Sequence, residues 1–254
     1  MENERLRRKW SYEEVVLALY AYCHVPFNKA SNINPWIKKI ASIIGRTPAS
    51  VKMKIGNLGA CDPSLKAKGI VGLTSKSKMD EQVWHDYYGK WDKLVIDAEN
   101  IIANYDLSQA NEILKLPKGT EEYYKRKHRL NQSFFRAAVL SSYDYQCCVT
   151  GINKTKLLEA CHIKSWSENE ELRTDPSNGL CLNTLLHSAY DSLLITISPD
   201  FKIIFSDDFI FSCGDKALKD YFLAKNQTTI YMPNRFFPYR HCLEEHYERF
   251  NNKR

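Results

Sequence analysis

The stretch from Leu157 to Leu193 constrains the fold of this chain more than any other. Leu157 to Ile163 is short, apolar and strand-like, Lys164 to Asn178 is polar and carries Pro176, and Gly179 to Leu182 can return as a second strand. Asn183 then stands where a helix cap is needed, ahead of a helix from Thr184 to about Leu193. The order is hairpin, then helix. On that helix His187 and Asp191 are four residues apart and share a face, so both can grip one cation. His162 ends the first strand, and the return strand can bring it opposite them. An imidazole and a carboxylate beside open coordination positions suit a divalent ion that also binds phosphate oxygens.

A different kind of module runs from about Lys9 to Tyr105. Ser11 can cap a helix whose Glu13 and Glu14 suit the positive end of its dipole and whose Val15, Leu17, Ala18, Leu19 and Tyr22 give it an apolar side. Beyond the breakers from Pro26 to Asn34, the residues Trp36, Ile37, Ile40, Ile43 and Ile44 mark a second helix, which Gly45 ends. Thr47 caps a third, with Pro48 at its first position, where a missing N–H does no harm. From Val83 to Tyr105, Trp84, Tyr87, Tyr88, Trp91, Leu94, Val95, Ala98, Ile101 and Ile102 recur at helical spacing as a core stripe. Further on, Arg129, Gln132, Phe135 and Arg136 form R-x-x-Q-x-x-F-R on a helix that Asn131 can cap and that runs through Val139, Leu140 and Tyr143. Gln132 and Arg136 share a face there and can clamp a phosphate or backbone carbonyl, or bridge internally to the hairpin that follows.

Composition sets the class. The chain has 254 residues, 44% hydrophobic and 26% charged, enough for one large domain or two small ones. No apolar run approaches the roughly 20 residues that cross a bilayer, and MENERLRRKW lacks a secretory apolar stretch, so the expectation is a cytoplasmic protein without membrane partners. Eight cysteines, Cys23, Cys61, Cys147, Cys148, Cys161, Cys181, Cys213 and Cys242, are scattered without C-x-x-C knuckles and are expected as reduced thiols. A formal net charge of +6 suits a polyanionic partner. The basic residues gather at Arg5, Arg7, Arg8 and Lys9, at Lys52 and Lys54, and from Lys125 to Arg136.

Two resemblances follow from these residues. RKWSYEE with IASIIGRTPASVKMKIGNL resembles Myb-like and related helix-turn-helix DNA-binding modules, which implies that Arg46, Ser50, Lys52, Lys54 and Asn57 lie on or beside a recognition helix. A helical scaffold whose lysines face water is the plain alternative. Thr150 and Gly151, Leu158 to Ile163, Asn178 to Leu180 and His187 to Asp191 together resemble the HNH, or ββα-metal, endonuclease family, in its branch reading T-G, L-E-A-x-H-I, N-G-L and H-x-x-x-[FY]-D. That likeness extends from about Arg129 to Phe250.

The second resemblance implies roles. His162 looks like the general base, Asn178 like the middle residue that holds the loop and orients that histidine, and His187 and Asp191 like the ligands of Mg²⁺, Mn²⁺ or another divalent ion. Products would carry 5′-phosphate and 3′-hydroxyl ends. Cys161 departs from the family, which often has a third ligand, Asp or His, at that position; a thiol is a poor donor to a hard ion, and packing is the favoured reading. His24, His85, His128, His241 and His246 lack comparable company and receive no role.

The expected protein is therefore α+β, with a helical, DNA-binding domain over 1–110 and a C-terminal ββα-metal (HNH) nuclease domain over 120–254. Arg46, Lys52, Lys54, Arg129, Gln132 and Arg136 are its expected DNA contacts, and double-stranded DNA is the expected partner. A homodimer is a working hypothesis, because HNH centres generally cut one strand at a time. Restriction-type defence against foreign or modified DNA is the first functional reading. A DNA-binding regulator with a decayed nuclease centre, a homing or repair nuclease, and a scaffold with fortuitous motifs are the alternatives.

Overall fold

The computed structural model describes residues 8–70, 76–105 and 119–253. Arg5 and Arg7 lie outside them. The chain divides into two compact units, Met1–Ser142 and Tyr143–Arg254.

In the first unit, α1 (Tyr12–His24) opens with a capping box in which Ser11 and Glu14 exchange side-chain and backbone hydrogen bonds. Its residues from Glu14 to His24 are all buried. An amphipathic reading understates this helix: it is the axis around which the others pack. Asn34 caps α2 (Pro35–Ile44), and Gly45 closes it in the left-handed conformation, φ +64°, that a Cβ would penalise. Thr47 caps α3 (Pro48–Gly59), with Pro48 in its first turn. Short α4 (Pro63–Ala67) follows. The aromatic stripe beyond it resolves into two helices, α5 (Lys78–Tyr87) and α6 (Trp91–Tyr105). Between them Gly89 takes φ +75° and turns the chain.

Helix α7 (Glu121–Ser142) starts eleven residues earlier than an Asn131 cap would have it. Thr120 caps it through Tyr123 N at 3.3 Å, and Glu121 and Glu122 suit its first turn. Asn131 is internal and buried. The helix belongs with the helical unit: Phe134 stacks on Tyr20 at 5.8 Å, and Ser141 Oγ donates to the Cys23 carbonyl at 2.7 Å. The division therefore falls after this helix, whereas the sequence reading placed R-x-x-Q-x-x-F-R at the head of the second module.

The second unit is built on two antiparallel hairpins. Strand β1 (Leu158–His162) pairs with β2 (Gly179–Asn183), in a register that sets Leu158 against Asn183 and His162 against Gly179. Asn183 caps α8 (Thr184–Asp191) through Leu186 N at 3.0 Å. Hairpin followed by helix is thus realised in a mixed helix and sheet unit. A second hairpin joins β3 (Ile195–Ile197) to β4 (Ile203–Phe205). Phe205 packs with Phe209 of α9 (Asp207–Ser212) and Phe222 of α10 (Lys216–Lys225). The terminal helix α11 (Arg240–Lys253) buries Cys242, Leu243, His246 and Phe250. All eight cysteines are free thiols. Among the described residues, no helix is long and apolar enough to cross a membrane.

Candidate active site

The strand end and the helix face the same hollow. His162, Trp166, His187, Asp191, His246 and Arg249 are among the residues lining a pocket of about 320 Å³ within the second unit. One ring nitrogen of His187, one oxygen of Asp191 and the Cys161 sulfur all lie within 4.8 Å of one another.

His162 is held by its Nε2, 3.0 Å from the Arg173 carbonyl. A carbonyl can only accept, so Nε2 carries the hydrogen and Nδ1 is the basic nitrogen. Burial pushes the His162 pKa below its ordinary 6.5, partly opposed by that hydrogen bond. The ring is therefore neutral at neutral pH.

Asn178 is 2% exposed and does not line the pocket. Its Oδ1 accepts from Lys164 N at 2.9 Å, and its Nδ2 donates to the carbonyls of Lys164 at 3.1 Å and Leu172 at 3.3 Å. These bonds tie both ends of the loop between the strands. The same loop presents the Arg173 carbonyl to His162.

On α8, His187 Nε2 lies 3.3 Å from Asp191 Oδ2. Its Nδ1 meets the carboxylate of Glu159, which accepts the ring hydrogen. A carboxylate behind a histidine fixes the tautomer and turns the opposite nitrogen toward a metal. Sequence reasoning missed Glu159, although its position two residues before Cys161 places both on one face of β1.

Cys161 is fully buried, with its sulfur 3.9 Å from Asp191 Oδ1. Burial, with Asp191 beside it, pushes its thiol well above the usual range. A protonated thiol donates weakly to Asp191, and sulfur is a poor donor to a hard ion. His187 and Asp191 fit a divalent cation as donors, leaving room in its shell for water and phosphate.

The expected DNA contacts separate into two groups. Arg46 is 7% exposed, bonded to Glu14 Oε2 at 2.8 Å and to the Lys9 carbonyl at 2.9 Å. Lys54 is 6% exposed, with its ammonium 2.7 Å from Asp80 Oδ1. Both lie over the Trp10 ring. Expecting these two to hold phosphate is corrected: they are internal cations, each committed to a buried carboxylate. Lys52, Arg129, Gln132 and Arg136 are exposed, the first on α3 and the others along one side of α7.

A family model described as HNH endonuclease matches residues 147–198, the segment that holds β1, the loop, β2, α8 and β3. The chain thus carries an HNH endonuclease domain there, which implies a nuclease, a hydrolase that acts on DNA; such enzymes generally use divalent metal ions. Comparison with curated proteins returns no match.

Proposed function

We propose that this protein is a divalent-metal-dependent DNA endonuclease that hydrolyses phosphodiester bonds to 5′-phosphate and 3′-hydroxyl ends. One observation carries the reading: a histidine whose tautomer leaves Nδ1 basic lines the same pocket as an imidazole and a carboxylate four residues apart on α8. In this reading His162 removes a proton from the attacking water at Nδ1. Asn178 holds the loop whose carbonyl sets that tautomer. His187 and Asp191 hold the ion, Mg²⁺ first and Mn²⁺ as a substitute, with Glu159 orienting His187. When bound, the ion neutralises charge on the scissile phosphate and stabilises the departing oxygen.

The helical unit holds the duplex through Lys52 on α3 and through Arg129, Gln132 and Arg136 on α7. With a single nuclease centre per chain, a break in both strands calls for a homodimer, which sedimentation with and without DNA tests. Restriction-type defence in the cytoplasm is the role we favour.

The test is incubation of supercoiled and base-modified DNA with Mg²⁺, Mn²⁺ or chelator, for wild type and His162→Ala. Cleavage that needs the metal and is lost in the variant is expected. Equal cleavage by the variant, or cleavage in excess chelator, overturns the mechanism. Duplex binding without cleavage under every metal condition favours the decayed-centre regulator, for which Cys161 at a ligand position is the motivating residue.

A further inference from the structure

The pocket has a wall that the family match does not reach. Helix α11 lies beyond residue 198 and contributes His246 and Arg249 to the lining. It is fastened to the end of α8 at two points. His246 stacks on Tyr190 at 3.7 Å with an interplanar angle of 9°, and bonds through Nδ1 to Thr196 Oγ1 at 2.8 Å. About two helical turns further on, Lys253 donates to the Ser192 carbonyl at 2.7 Å. Arg249 falls between these anchors on the same side of the helix, so the packing of α11 sets it in the lining of the pocket that Asp191 also lines.

Among the described residues, Arg249 is the one permanent cation lining the pocket. In the free protein its Nη1 rests 2.6 Å from Glu168 Oε1. Glu168 is held in turn, its Oε2 accepting from Ser165 N at 3.0 Å. The ion pair is about two-fifths exposed on both sides. Such pairs are weak, and a phosphate, which matches the guanidinium fork as well as a carboxylate does, can displace this one.

We infer that Arg249 is a phosphate-binding catalytic residue: it leaves Glu168 and engages the backbone phosphate at the site of cleavage, beside the ion held by His187 and Asp191. This rests on the nuclease reading above. A guanidinium there opposes the negative charge that accumulates in the transition state without competing for the coordination positions of the ion. Glu168 acts as its resting partner, keeping the side chain extended toward the pocket and making entry of nucleic acid an exchange of one anion for another.

The experiment compares wild type, Arg249→Met, Arg249→Lys, Glu168→Gln and His162→Ala. It uses single-turnover cleavage of a duplex oligonucleotide in Mg²⁺, equilibrium binding of the same duplex in chelator, and thermal unfolding. Arg249→Met is expected to slow cleavage about 100-fold, the scale for losing one preorganised donor, and to weaken binding in chelator several-fold with its unfolding temperature unchanged. Arg249→Lys recovers part of the rate. Glu168→Gln tightens duplex binding in chelator, because the competing anion is gone. If the pair merely braces the loop, Glu168→Gln and Arg249→Met will be impaired alike, and the inference fails. Wild-type rates in Arg249→Met, with His162→Ala inactive, overturn the role of Arg249 and leave the nuclease reading standing. Cleavage by no form, or cleavage equal in His162→Ala, overturns both.

Discussion

Glu159 and His187 form a relay across the hairpin and helix: the carboxylate takes the Nδ1 hydrogen, and the opposite nitrogen is presented to Asp191 at 3.3 Å. The geometry makes His187 a ligand of defined tautomer before any ion arrives. Glu159→Gln is therefore expected to lower Mn²⁺ affinity by roughly 10- to 100-fold, the range for losing the partner of a metal-binding histidine. Titration calorimetry with Mn²⁺ measures this without reference to turnover. Unchanged affinity would mean that Glu159 is a bystander.

The pH dependence of cleavage follows from His162. Its folded pKa is below 6.5 because burial disfavours the charged ring. The base is competent only when neutral, so activity persists as pH falls past 6.5 and is lost only as pH drops through the lower, folded value. A kcat/KM profile should place the acid limb below 6.5. A limb at or above that value would contradict the burial seen here.

Much of this site was legible because its chemistry is local. Ser11, Thr47 and Asn183 each cap a helix through a bond reaching three residues ahead, and the spacing of His187 and Asp191 follows from helical geometry alone. The errors arose where a partner is remote or a competitor is stronger. Arg46 and Lys54 look like surface cations until Glu14 and Asp80, 32 and 26 residues away, are folded against them. Asn131 resembled a cap, yet Thr120 followed by two glutamates starts the helix eleven residues sooner. Arg249 meets Glu168 across 81 residues, which no local pattern announces.

Those buried cations can be told apart from DNA contacts by mutation. Arg46→Ala leaves the buried Glu14 carboxylate with the partly exposed Arg8 as its remaining guanidinium partner, and should cost up to about 3 kcal/mol of stability in the helical unit. Lys52→Ala, on the exposed face of α3, should change stability by no more than about 0.5 kcal/mol. It should instead weaken duplex binding and lower the salt slope by about 1. Denaturant unfolding and binding titrations at several salt concentrations separate the two outcomes.

Asn178 is a test of architecture. Asn178→Ala leaves the amide and carbonyl of Lys164 and the carbonyl of Leu172 without their side-chain partner in a buried setting. The expected loss is about 2–3 kcal/mol, with slower cleavage because the Arg173 carbonyl is no longer held to His162. Asn178→Asp keeps the acceptor toward Lys164 N but points a second oxygen at two carbonyls, so it should not rescue. Full activity with full stability in either variant would remove Asn178 from the site.

His246 links the terminal helix to acid stability. Burial against Tyr190 and Thr196, with Arg249 nearby, pushes its pKa down from 6.5 to about 4. Between those values the unfolded chain binds a proton that the folded chain refuses, so stability is fully present above about pH 6.5 and falls as pH drops toward 4. The difference in pKa corresponds to at most about 3 kcal/mol. His246→Phe keeps a ring over Tyr190 but cannot titrate. It sacrifices the bonds to Thr196 and to the Tyr190 carbonyl and should be less stable than wild type at pH 7, yet show a shallower decline between pH 6.5 and 4. Thermal unfolding across that range supplies both slopes. Parallel slopes would assign the acid sensitivity to other groups and leave His246 only a packing role.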